Sequence, residues 1–116
     1  MNYLNRDVLD GLLEALGEAD FFEINHTFVQ QFERQLQACR QQAARGDSSE
    51  CARILHSLKG GAGNIGAETL AALAETLERQ VRSGESALTD AMLEALANTT
   101  RETVEELRRS GYLGAR

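Results

Sequence analysis

Apolar residues recur along this chain at helical spacing, three to four residues apart, almost from end to end. Val8, Leu9, Leu12, Leu13 and Leu16 predict a short first helix that stops at Gly17. Phe21, Ile24, Phe28, Phe32, Leu36, Cys39 and Ala43 stripe a second, from about residue 19 to 45, ended by Gly46. Asp47 or Ser48 can cap a third, with Glu50 in its first turn where the helix dipole favours an acid. Its stripe is Cys51, Ile54, Leu55, Leu58, Ala62 and Ile65, and Gly66 then breaks the chain. Leu70, Leu73, Ala74, Leu77 and Val81 mark a fourth helix up to Gly84. Leu88, Leu93, Leu96, Thr100, Val104 and Leu107 mark a fifth that ends near Gly111.

No segment shows the alternating pattern of a strand. Short connections make consecutive helices antiparallel neighbours. The expected fold is therefore all-α: an antiparallel up-and-down four-helix bundle with a short extra N-terminal helix packed on one end. One domain spanning residues 1–116 accommodates this, since the length suffices for a single core.

Composition narrows the function classes. The net charge is −6, with cations scattered among the acids, so there is no basic stripe for nucleic acid. No apolar run approaches the ~20 residues of a membrane span, and no basic-then-apolar leader is present. The expectation is a soluble, cytoplasmic protein that binds neither nucleic acid nor membrane. Cys39 and Cys51 lack a second ligand pair at zinc spacing, so no metal site is expected. Both fall at apolar helix positions and read as small buried thiols, with a disulfide between them as the alternative.

The stretch "HSLKGGAGNIGA", residues 56 to 67, holds four glycines in a chain without proline. Gly61, Gly63 and Gly66 spell G-x-G-x-x-G, but that fingerprint needs a strand before it and a parallel sheet around it. A P-loop is excluded too, because Lys59 precedes the glycines and no Lys-Ser/Thr pair follows. No nucleotide or other cofactor is expected.

On a helical wheel with Cys51 at zero, the third helix's apolar residues cluster within roughly 60°, and His56 lands about 140° away. Its neighbours at −4, +4 and +7 are Ala52, Gly60 and Gly63, so the ring projects from a surface nearly stripped of side chains. Each glycine inside a helix costs about 0.8–1.0 kcal/mol against alanine. A helix fraying after Lys59 would avoid that cost, but Ala62 and Ile65 continue the apolar stripe. Access to the His56 ring explains the glycines better. An exposed neutral imidazole is itself a nucleophile, and a cation one turn on, Lys59, would stabilise a phosphoryl group placed there. His26 lacks both the bare surroundings and a lysine at +3, and reads as an ordinary surface residue.

"LHSLKGGAGNIGA" resembles the signature of histidine phosphotransfer (HPt) domains: His-x-x-Lys-Gly, then small residues and an Asn-x-Gly-Ala turn. That family has the fold expected here. The resemblance implies a phosphorelay intermediate that takes a phosphoryl group from one receiver-domain aspartate and passes it to another. It makes His56 the phosphorylated residue, Lys59 the phosphate partner and Gly60 the access position. Glu78 matches the Gln or Glu that holds the histidine ring, and the wheel puts it about 80° from its helix's apolar stripe, at a partly solvated seam edge. Gly63 would border the docking surface, and Arg82 matches an often basic position that could meet the phosphate or the receiver.

Implied partners are response-regulator receiver domains and a hybrid sensor histidine kinase, with the receiver supplying the metal and the chain expected to be a monomer. No kinase, ATPase or phosphatase activity is implied. Met1 and a closed core favour a free-standing protein over a piece of a hybrid kinase. The competing class is a helical-bundle adaptor that docks a signalling partner without covalent phosphorylation.

Overall fold

The computed structural model describes residues 3–114. Five helices follow in order: α1 (Arg6–Leu16), α2 (Glu18–Ala44), α3 (Ser48–Asn64), α4 (Glu68–Arg82) and α5 (Asp90–Arg109), with no strand among the described residues. The expectation of one domain over 1–116 also takes in residues 1, 2, 115 and 116, which lie outside those described. Caps set the helix starts. Asn5 Oδ1 accepts from Val8 N at 3.3 Å, and Thr89 Oγ1 from Met92 N at 3.2 Å. Asp47, not Ser48, caps α3, its Oδ1 accepting from Glu50 N at 3.0 Å.

Helices α2 to α5 pack as a ring in which each touches its two neighbours, and α1 lies against α2, in a body 42 × 22 × 22 Å. Phe21, Phe32, Leu55, Leu58, Ile65, Leu70, Leu96 and Leu107 fill the interior, and Leu4 and Leu9 join it from the N-terminal side. Both cysteines are buried with free thiols, and Cys51 Sγ lies 3.9 Å from the Cys39 carbonyl oxygen. Burial, with the Cys51 thiol beside it, pushes Cys39 up to about 12, so its thiol stays protonated and unreactive. No described helix is long and apolar enough to cross a membrane.

Several positions depart from the sequence pattern. Leu88 precedes α5 instead of opening it. It stands just outside the Thr89 cap, where an apolar residue can staple against the one at the fourth helical position, Leu93, and both are buried. Leu16 and Ile24 are exposed, whereas Asn25 is fully buried. The buried face of α2 is rotated toward Asn25 and Val29 because the chain turns back after α5 and covers that flank with Tyr112 and Leu113. Asn25 Nδ2 donates to the Tyr112 carbonyl at 2.9 Å. His26, expected on the open surface, is half-buried, and its Nε2–H donates to the Leu113 carbonyl at 2.8 Å. A wheel shows only a helix's own faces, so a segment returning from elsewhere cannot appear on it.

The turn after α3 is fixed by α1. Asn5 N donates to the Gly66 carbonyl at 2.7 Å, and Asn5 Nδ2 to Glu68 Oε1 at 2.7 Å. Gly66 has φ +70°, and a Cβ there would sit 2.7 Å from Asn5 O, so only glycine fits.

Candidate functional site

Helix α3 runs unbroken through its glycines to Asn64, which rules out fraying after Lys59. The glycines divide by environment. A Cβ at Gly61 would meet Phe28 at 3.4 Å and Phe32 at 3.5 Å, so this residue packs against α2. At Gly60 and Gly63 a Cβ would find nothing within 4 Å. Core packing therefore does not demand glycine at 60 or 63, yet both pay the helix penalty. Ala52, expected on the same bare side, is only 2% exposed. With α2 on one side and α4 on the other, α3 buries more than a single stripe, and the cleared field lies only C-terminal to His56.

The His56 side chain is 62% exposed. Its Nδ1 lies 3.3 Å from Glu78 Oε1 and 3.2 Å from Oε2, across the α3–α4 seam. A carboxylate only accepts, so Nδ1 carries the hydrogen and the neutral ring's lone pair is on Nε2. Nε2 has no hydrogen-bond partner among the described residues.

Glu78 is more buried than its wheel position implied, at 8% exposure. The close pairing of α3 with α4 covers the seam edge. Lys59 Nζ lies 3.4 Å from Oε1 and Arg82 Nε donates to Oε2 at 2.8 Å. Burial pushes the Glu78 carboxyl upward, but the Arg82 and His56 hydrogen bonds and the Lys59 charge outweigh it and hold the group below its ordinary value. Glu78 is thus an anion ringed by donors.

The residues singled out from sequence come together: His56, Lys59, Glu78 and Arg82 form one cluster, with Gly60 and Gly63 beside it on α3. Lys59 and Arg82 both rest on Glu78. One nearby contact carries no sequence signal: Gln35 of α2 donates from Nε2 to Ser57 Oγ at 3.0 Å, next to His56. A polar residue on a helix flank gives periodicity nothing to detect. Among the described residues, no three His, Cys, Asp or Glu side chains are grouped to hold a metal ion.

A family model described as Hpt domain matches residues 23–110 of the chain. The crystal structure of histidine-containing phosphotransfer protein B (HptB) from Pseudomonas aeruginosa PAO1 is similar over 93% of this chain and 93% of that one, at 28% sequence identity and a TM-score of 0.86. No curated protein sequence matches.

Proposed function

The chain belongs to the Hpt domain family, a histidine phosphotransfer intermediate of phosphorelay signalling, and from that premise we propose that His56 Nε2 carries the phosphoryl group. The observation that carries this reading is the setting of the ring: Nδ1 lies 3.2 Å from the Glu78 carboxylate, and the side chain is 62% exposed beside a field cleared by Gly60 and Gly63.

In the forward step the Nε2 lone pair attacks the phosphorus of a receiver's aspartyl phosphate. The N–P bond forms as the P–O bond to the aspartate breaks, and the electron pair leaves with the carboxylate. Nδ1 keeps its proton, so the ring becomes cationic, and Glu78 stabilises that charge at hydrogen-bond range. Lys59 turns from Glu78 to the phosphoryl oxygens. The reverse step returns the group to another receiver.

The chain itself needs no nucleotide, metal or kinase activity for this exchange. It works as a cytoplasmic monomeric domain between receiver domains and a hybrid sensor kinase. Incubation with a phosphorylated receiver tests the reading. It predicts transfer of an acid-labile, base-stable phosphate onto this protein, and a complex that forms without transfer would leave the adaptor reading standing instead.

A further inference from the structure

Three donors meet the Glu78 carboxylate, and they hold it unequally. Arg82 Nε reaches Oε2 at 2.8 Å, within the range of a charge-assisted hydrogen bond. It does so from one turn further along the same helix, the i,i+4 order in which an acid followed by a cation pairs best. Lys59 Nζ stands 3.4 Å from Oε1, long for such a bond. His56 Nδ1 divides itself between both oxygens at 3.2 and 3.3 Å. The tight partner is therefore the arginine, and the lysine is the loose one.

We infer that Arg82 is a positioning residue for phosphotransfer: by fixing Oε2 it holds the Glu78 carboxylate in the orientation that accepts Nδ1–H of His56, and it remains the counter-ion of Glu78 when Lys59 departs. This rests on the reading of His56 as the phosphoryl acceptor, and it gives Arg82 a task other than meeting the phosphate or the receiver. The charges explain why two cations attend one carboxylate. Before transfer, Lys59 and Arg82 exceed Glu78 by one positive charge. A phosphoryl group on Nε2 brings new negative charge within reach of the loosely held ammonium. Without Arg82, the carboxylate would compete with the phosphoryl group for Lys59, or turn toward solvent and release the ring.

The test uses the whole protein with Arg82→Gln and Arg82→Lys. Long-range proton–nitrogen NMR at about pH 9, above the ordinary imidazole range, reads the share of His56 rings carrying hydrogen on Nδ1. Arg82→Gln should lower that share and slow transfer from a phosphorylated receiver by about 2- to 5-fold, with unchanged receiver affinity. Arg82→Lys should keep more of the wild-type share than Arg82→Gln, because a cation at i+4 still pairs with the carboxylate. An unchanged ring in Arg82→Gln overturns the inference, and an unchanged ring with weakened receiver binding makes Arg82 a docking residue. The ring measurement is made without phosphate, so absence of uptake by the wild-type protein would overturn the phosphotransfer reading separately.

Discussion

At position 60 a glycine stands inside a helix with open space where its Cβ would be. If the reason is access to His56, stability and transfer should separate. Gly60→Ala should raise stability by up to about 1 kcal/mol in denaturant titration, and Gly60→Gln should stay folded yet slow transfer from a phosphorylated receiver. Wild-type rates in Gly60→Gln would remove the access argument. Glu78 gives a second residue-scale prediction, through pH. Its folded carboxyl is held below the unfolded value of about 4.5, so its contribution is present above that pH and is lost as pH falls through the lower folded value. Below about pH 4.5, wild type should lose stability more steeply than Glu78→Gln, which has no carboxyl to protonate. Parallel curves would contradict this. That His56, Lys59 and Gly60 share one exposed face of a helix was legible from spacing. Glu78 came instead from the resemblance to the family's motif, and the structure brings its carboxylate to His56 and Lys59. The depth of Glu78 was not legible, because a wheel gives direction and not how closely the neighbouring helix approaches.

Among the elements, all five helices could be read from apolar spacing and glycine stops, and the observed ends fall within a few residues of those expected. What escaped was how two faces turn. Ile24 is exposed and Asn25 buried because the post-α5 segment covers one flank of α2, and Leu88 packs from outside its helix. The glycines also differ by element. Gly60 and Gly63 lie within α3, whereas Gly66 closes the α3–α4 turn against α1 at φ +70°. Gly66→Ala should therefore destabilise by more than about 1 kcal/mol, the opposite sign to Gly60→Ala, since a Cβ would press on Asn5 O at 2.7 Å. Thermal melts of the two variants side by side check this, and stabilisation by both would contradict the turn's geometry.

For the whole molecule, the closing of one end depends on contacts far apart in sequence. Tyr112 packs edge-on to Phe21 with ring centroids 5.9 Å apart, donates its hydroxyl to Asp10 at 3.0 Å and lies under the Arg6 guanidinium. Arg6 also bridges to Glu106 at 3.1 Å. Nothing in helical periodicity marks this closure, because Tyr112 falls beyond the last helix and its partners Arg6 and Asp10 lie about a hundred positions away. Tyr112→Ala should cost about 3 kcal/mol by the measure of buried aromatic truncations. Its transfer rate per folded molecule should match wild type, because none of these contacts includes a site residue. A large rate loss in a folded Tyr112→Ala protein would mean that this end is coupled to His56.

The central claim is that the phosphoryl group travels on Nε2 of His56, and mapping the phosphate after incubation with a phosphorylated receiver tests it most directly. Fragmentation mass spectrometry under alkaline conditions, with nitrogen–phosphorus NMR to distinguish the ring atoms, should place the group on His56 Nε2 in wild type and in His26→Gln, and find none in His56→Gln. Phosphate on Nδ1, on His26, or on a folded His56→Gln protein would contradict the account.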